Sequence, residues 1–570
     1  MPDIASFCRR MEKEMAKVNR GIWFGAEAMA TALGDGKQTV SSIFSYISGL
    51  KYSETYKMIT GEIPGKSKLD SYTELESLMI SQISQVLAES GLNLSDPSVA
   101  LIISTTKGNV GLLEGNTEEL PEDAYLYATS RKVADYFKSA NRPIVISNAC
   151  ISGISALVVG RRLILSEKYD HAVVVGCDML CEFITSGFAS FKSISENRCR
   201  PYDASRNGLN LGEACATLLL TSDKSKALEP YFRLDGGSVT NDANHISGPS
   251  RTGDGLFYAI DNAMKEAGVS ATDIGLVNTH GTATVYNDEM ESKAITLAGL
   301  SETPLNSLKG YIGHTLGASG VVETLLCLNQ LREKTAFATA GFSEIGVPCP
   351  VNISSEHRKI EKLRCVKTAS GFGGCNAAIL ISADEYPCAE FVSDEPADYH
   401  ITAEYTLTDS DLPFAEQIRE EYRALENPNM KFFKMSDLCK GAYIAVENLI
   451  KESPLSGKYE QKDIAVILAN SSASLDTDVE HQRILEQRLP EGTSPAVFVY
   501  TLPSVAAGEI CIRNKFQGDN TFFIDENVDF TRSYAELLIR NGYAKAVICG
   551  WCDKMNENRN ISIKILEIKN

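Results

Sequence analysis

The chain has 570 residues, 44% of them hydrophobic and 23% charged, a composition that excludes a low-complexity or fibrous scaffold and predicts about four folding units. Its 55 basic and 74 acidic residues leave a net charge of −19, without the basic footprint that nucleic acid or an anionic membrane surface requires. Fifteen cysteines, an odd number scattered over a long chain, fit reduced thiols in the cytoplasm better than a secreted disulfide framework.

Residues 1–19 are charged throughout and offer no apolar stretch of signal-peptide length. Ile4, Phe7, Met11 and Met15 recur at helical spacing and predict a surface-docked helix in an extension over 1–17. From there short apolar runs alternate with helical periodicity. Strands are predicted at 99–104, 143–147, 171–177, 214–220, 274–278 and 377–382, with helices such as 72–90 and 256–267 between them, which is an α/β pattern. Residues 143–160 carry no charge, but Ser147, Asn148, Ser152, Gly153 and Ser155 interrupt them. They predict a short buried strand, a sharp elbow and a buried helix rather than a membrane span. The acidic, proline-containing stretch around 386–399 predicts a linker. Beyond it the chain repeats itself: 465–472 (AVILANSS) echoes 99–106 (VALIISTT), and 538–550 parallels 164–176.

Cys150 lies where the strand turns into the uncharged helix, and amides at a helix start stabilise a thiolate, so this thiol is expected to be nucleophilic. His280 and His314 each stand beside glycines just after a strand-like run, where α/β folds place their sites. Other motifs carry less. Cys549 and Cys552 have redox spacing but fall on a strand and its exit, Gly61…Gly65-Lys66-Ser67 is too short for a phosphate loop, and Cys177 and Cys181 lack companion zinc ligands, so no metal is expected.

Five motifs in order complete the picture: Asn148-Ala-Cys150; Arg200-Pro-Tyr-Asp203 with Arg206-Asn-Gly208 and Gly212-Glu213; His280-Gly-Thr-Ala-Thr284; Lys309…Gly313-His314-Thr-Leu-Gly317; and Gly371-Phe372-Gly-Gly374-Cys-Asn376. On these the chain resembles a β-ketoacyl-acyl carrier protein synthase, the elongating condensing enzyme of fatty acid and polyketide synthesis, over about residues 18–385. The resemblance implies a thiolase-like five-layer αβαβα fold of two similar halves, 18–230 with the nucleophile and 231–385 with both histidines. It implies that Cys150 carries the acyl chain while His280 and His314 assist decarboxylation of a malonyl thioester. Lys309 and Glu323 match the family's supporting pair, and the amides of Cys150 and Phe372 its oxyanion hole. Thr282 and Thr284 match its pantetheine-binding threonines, with Val285 where a proline is usual. Ser370 replaces the phenylalanine usual near the gate, leaving room for an unusual or rigid chain. Arg131, Lys132 and Arg206 fall near the positions that dock the carrier.

The expected partners are acyl carrier protein, acyl and malonyl thioesters and a second copy of the chain, a homodimer formed through the strand at 143–147. No cofactor is expected beyond the carrier's own phosphopantetheine. A specialised synthase for an aryl-polyene or pigment polyketide is one alternative. A noncatalytic chain-length or scaffold subunit is another, disfavoured by the intact Cys150, His280 and His314. Residues 400–570 read as a degenerate copy of the first half: 523–529 holds no thiol, and Arg532, Glu536 and Arg540 make a charged helix face. That face, and four residues missing after the copy's elbow, lead to the expectation that the copy decorates a homodimer rather than replacing its second subunit.

Overall fold

In the first unit, runs of Val, Ile, Leu and Ala without alternating polarity become strands buried on both faces: Val99–Ser104, Ile144–Ile146 and His171–Asp178, parallel to one another. The structure, a computed structural model, describes residues 21–388, 397–407, 410–426, 428–488 and 492–569. The helix expected over 1–17 and most of the linker expected at 386–399 lie outside these residues. Ala214–Thr221 and Trp23–Thr31 complete the first unit's sheet as antiparallel members. Phe232–Asn241, Cys375–Ala383, Arg364–Gly371, Leu276–Asn278 and Leu305–Asn306 form the second.

Helices cover both sides and fill the middle. Glu74–Ser90 starts at a capping box, the Thr73 side chain accepting from the Glu76 amide and the Glu76 side chain from the Thr73 amide, and packs on the first sheet. Asp254–Glu266 packs on the second. Between the sheets lie Ser152–Leu165 and Ser319–Arg332, fourteen residues each and buried almost all round. They cross with their backbones in contact: a Cβ on Gly153 would sit 2.9 Å from the Gly320 Cα, and one on Gly320 2.3 Å from the Ile154 nitrogen. Both positions require glycine. This is the thiolase-like α/β fold. Among the described residues no helix is long and apolar enough to cross a membrane.

The appended copy folds as the first unit does and then stops. The first unit runs Trp23–Thr31, Ala214–Thr221, His171–Asp178, Val99–Ser104, Ile144–Ile146 across the sheet. The copy continues the same sheet in mirrored order: Asn520–Ile524, Ile464–Asn470, Ala546–Met555, Asn558–Ile568, Tyr399–Leu407. Cys549 and Cys552 fall on one of these strands and are both buried; three residues apart, they face opposite sides and make no dithiol pair.

The seam overturns the expectation of decoration. Asn520–Ile524 pairs antiparallel with Ile144–Ile146, Phe523 opposite Ile146 and Ile524 opposite Val145, and the Ser147 amide donates to the Phe522 carbonyl at 3.1 Å. The strand edge expected to bind a second chain is thus occupied by this chain's own copy. The shortened elbow follows directly on the seam strand: Phe530 meets Phe523 at 5.1 Å between centroids, and Glu526 pairs with Arg131 of the first unit. In Asp529–Arg540, Thr531, Tyr534, Ala535, Leu538 and Ile539 are buried, whereas Arg532 and Arg540 are exposed.

Buried charges bolt the copy in place. Lys107 Nζ reaches across the seam to Asp478 at 2.5 Å and to Ser474 Oγ at 3.1 Å, with both charged side chains 5% exposed. Arg162 Nη1 reaches Asp519 at 2.5 Å and the Tyr534 hydroxyl at 2.7 Å. Removing one partner of such a pair leaves an uncompensated charge in the interior. Asp478→Ala is therefore expected to lower stability by about 3–5 kcal/mol in denaturant titration, and Lys107→Met combined with Asp478→Leu to recover most of the loss.

Candidate active site

The nucleophile elbow follows from the strand that precedes it. Ile144–Ile146 ends at the seam, Ala149 takes a left-handed φ of 49°, and one 3₁₀ turn, Ala149–Ile151, feeds the central helix. Asn148 Nδ2 donates to the Asn520 carbonyl at 2.8 Å, so the appended copy fixes the residue two before Cys150. The second half repeats the device without a thiol: Leu316 has φ 54° and Leu316–Ala318 leads into the facing central helix. That symmetry brings His314, just before the turn, to Cys150. His280 arrives at the end of Leu276–Asn278, where the Glu291 carboxylate accepts from the amides of His280 at 2.9 Å and Gly281 at 2.6 Å.

Cys150 Sγ and one nitrogen from each imidazole lie within 4.8 Å of one another, and all three residues are buried. The rings of His280 and His314 stand 5.0 Å apart and nearly perpendicular. The Leu316 amide donates to His314 Nδ1 at 3.0 Å, which leaves the ring proton on Nε2. Burial first, then the charges of Lys309 and Lys367, holds both imidazoles well below the ordinary histidine value, so both are neutral. Lys309 and Lys367 each contact Glu323 at 2.6 Å, one on either carboxylate oxygen. Two cations against one anion leave a positive local field, which disfavours a metal ion at these three donors.

Burial pushes the Cys150 thiol up to about 12, with the Lys309 ammonium and its own backbone amide pulling the other way. The thiolate expected from the helix start is therefore not the resting form. A helix terminus contributes about 0.3–2 kcal/mol, less than the cost of ionising a thiol with almost no contact with water.

A cavity of about 410 Å³ leads to these groups, lined by Thr282, Thr284, Tyr286, Ser370 and Phe372 among others. Thr282 and Thr284 meet hydroxyl to hydroxyl at 2.9 Å. Ser370 Oγ donates to Asn376 Oδ1 at 2.7 Å, and Asn376 donates to Asp242 at 2.8 Å, so this position is tied into a polar network as well as being small. Phe372 packs near Phe188 and Phe191, with centroids 6.1 and 5.2 Å away.

Several of these residues were not among the sequence candidates. Lys367 is a charge inside the buried strand Arg364–Gly371, a visible signal. Phe498 is not visible in that way. It comes from the appended copy, meets Phe188 at 5.5 Å, and fills the space any side chain at Gly187 would need.

The structure does not gather the three docking candidates into a patch. Arg131 pairs with Glu526 of the copy, and Lys132 holds Asp123 at 2.9 Å and Glu76 at 3.4 Å. Arg206 is buried, 3.6 Å from Glu289 and 3.1 Å from the Asp203 carbonyl. Arg206 is thus internal, while Arg131 and Lys132 are paired but partly exposed.

Because the thiol is protonated at rest, alkylation of Cys150 by iodoacetamide should accelerate about tenfold per pH unit from roughly pH 7 to 10. A rate already level near neutrality, followed by peptide mass spectrometry, would show that the helix start dominates burial.

Residues 64–226 match the beta-ketoacyl synthase N-terminal domain and residues 231–343 the beta-ketoacyl synthase C-terminal domain. The 3-oxoacyl-[acyl-carrier-protein] synthase 2 of Rhizobium meliloti (strain 1021) is 32% identical over 251 residues, 41% of this chain; the chain spans 59% of that relative's length. A solved ketosynthase in complex with its chain length factor, from Xenorhabdus doucetiae, superimposes with a TM-score of 0.56 at 26% identity, covering 64% of this chain and 98% of its own. The PfaC keto synthase-chain length factor superimposes over 96% of this chain and 78% of its own, with a TM-score of 0.78 at 13% identity, a likeness of fold. The Cys150, His280 and His314 motifs lie inside the two matched domain segments and assemble in one cavity, so residues 64–343 of the chain are similar to the beta-ketoacyl synthases.

Proposed function

We propose that the chain is a 3-oxoacyl-acyl carrier protein synthase that condenses an acyl thioester with malonyl carrier protein. The convergence of Cys150 with two neutral imidazoles in one dry cavity carries this reading. Acyl transfer comes first: the Cys150 sulfur forms a bond to the acyl carbonyl, the carrier's thioester bond breaks, and the thiol proton leaves with the carrier sulfur. The exchange is proton-neutral overall, which suits a thiol that stays protonated at rest.

Malonyl carrier protein then enters. The His314 Nε2–H, and His280 beside it, donate to the malonyl thioester carbonyl as carbon dioxide departs and charge builds on that oxygen. The resulting carbanion attacks the acyl-Cys150 carbonyl, the amides of Cys150 and Phe372 hold the oxyanion, and the Cys150 thiolate leaves. The product is a 3-oxoacyl carrier protein. Thr282 and Thr284 on the cavity wall are placed to hold the pantetheine arm. In this reading the appended copy serves as an in-chain chain-length subunit, since Phe498 backs the aromatic wall formed by Phe188, Phe191 and Phe372. The Xenorhabdus ketosynthase, with its separate chain length factor, supports that division of labour. A purely noncatalytic scaffold is disfavoured because every reacting group is in place in the first two halves.

Intact-protein mass spectrometry with acyl carrier protein donors tests the chemistry. Cys150→Ala should take up no acyl group and give no condensation. His280→Ala and His314→Ala should each slow malonyl decarboxylation about 10²–10³-fold while Cys150 still acylates. Condensation at the wild-type rate in any of the three would overturn the assignment. Phe498→Ala, which removes the ring behind the wall, should shift products toward longer chains; an unchanged profile would remove the copy from chain-length control.

A further inference from the structure

The proposed carrier is acidic; of the three candidate docking cations Arg206 is buried, while Arg131 and Lys132 are ion-paired and partly exposed, so further cations near the catalytic cavity bear on docking. The catalytic cavity does not end at its own mouth. Asp242, His245, Gly248 and Pro249 line both it and an adjoining surface cavity of about 610 Å³, whose outer wall includes Arg251. One trough therefore runs from the surface to Cys150.

Cations from both parts of the chain surround that trough. Lys293 Nζ bonds the Arg251 carbonyl at 2.7 Å, which sets two basic side chains together on the catalytic side. From the other side the appended copy reaches over: Lys515 Nζ bonds the Ala243 carbonyl, on the trough wall, at 3.0 Å. On the copy's Met430–Lys434 turn the Lys431 charge acts, after burial, to hold the His245 imidazole of the trough down. Lys431, Lys434, Lys515 and Arg251 are exposed, and among the described residues none of them is ion-paired. Met430 and Phe433 on the same turn are 78% and 56% exposed, and Tyr286, which lines the catalytic cavity, is 75% exposed.

Unpaired cations with exposed apolar side chains among them, in a chain of net charge −19, concentrate a local positive field where the substrate enters. A lone charged loop would be an ordinary solvated surface. Here cations from separate segments lie beside an opening that leads to Cys150.

We infer that the copy's Met430–Lys434 turn and Lys515, facing Arg251 and Lys293 across the trough, form the docking surface for an acidic acyl carrier protein. The inference rests on the condensing-enzyme reading above. It assigns the appended copy a second task, capture of the carrier, that is separate from backing the acyl pocket. The pantetheine arm enters along the trough while the carrier's acidic face rests on the cations.

The test compares two acyl donors on the full chain. One is a purified decanoyl-acyl carrier protein, the other decanoyl-N-acetylcysteamine, which has no protein to dock. Lys431→Glu with Lys434→Glu should lower Cys150 acylation from the carrier at least tenfold and leave acylation from the small thioester unchanged. Raising the salt concentration should slow the wild type on the carrier and affect the variant much less. Lys515→Glu, which also loses a bond to the trough wall, is compared with Lys515→Met so that loss of charge and loss of the bond are read separately. An undiminished carrier rate in the double variant, or an equal fall with both donors, would overturn the docking surface. Failure of the wild type to acylate with either donor would overturn the condensing reading and the docking with it.

Discussion

The position of Cys150 depends on one antiparallel strand pair, Ile144–Ile146 with Asn520–Ile524. The catalytic strand is three residues long and is held on its other edge by Val99–Ser104 alone. Leaving its second edge open would bury backbone amides and carbonyls without partners, a cost comparable to losing each hydrogen bond outright. The appended copy closes that edge and then reaches one step further, to Asn148. Cys150 follows two residues later at a left-handed Ala149, where little slack remains. Residues more than 350 positions downstream thereby set the orientation of the nucleophile.

The electrostatics of the site follow from a second constraint, the exclusion of water. Burial alone would make both histidines neutral, and the Lys309–Glu323–Lys367 cluster pushes in the same direction. That cluster has a net positive charge. The field that keeps protons off the imidazole acceptor positions is the field that favours a developing enolate oxygen beside them. Both imidazoles are neutral, and His314 is locked with its proton on Nε2 by the Leu316 amide. The same dryness opposes a resting thiolate at Cys150. A site built to stabilise an oxyanion formed transiently need not hold a permanent anion on sulfur.

Much of this was legible in the sequence, and what was not has physical reasons. The strand, elbow and uncharged helix around Cys150 could be read because a helix buried on both sides tolerates almost no polar residues, and the run from 143 to 160 shows this directly. The repeat could be read because strands with the same neighbours carry the same apolar run. Where the repeat led astray was the charged stripe of Arg532 and Arg540. It reports only what does not cover the helix, and says nothing about which strand lies on the far side of the sheet. Sheet order is a long-range property, and a five-residue strand such as Asn520–Ile524 looks alike at an edge or at a seam. The partners of the docking candidates are hidden for a related reason: a basic residue in sequence does not reveal whether a carboxylate from a distant segment, such as Glu526, pairs with it. Lys107 is the same problem inverted, a lysine whose partner lies 371 residues away.

Fusion of the copy changes what the copy must preserve. A separate subunit has to find its partner at cellular concentration, so its whole contact surface must support association, whereas a tethered half is presented at a high effective concentration. The copy can then do without a nucleophile while keeping what the sheet requires. One retained detail fits this division. In the first unit Asp178 ties Thr105 and Thr106 at the end of Val99–Ser104, and in the copy Asp553 ties Ser471 and Ser472 in the corresponding place. That clasp fixes the loops at the ends of neighbouring strands and needs no active site. The second strand of such a clasp in the first unit also carries a catalytic turn, through the Gly317 amide on Asp178 at 2.7 Å, and there the copy has no counterpart to hold. Structure and chemistry separate at that bond: what supports the shared sheet recurs on both sides of the seam, whereas the turn after His314 that Asp178 holds belongs to the second half.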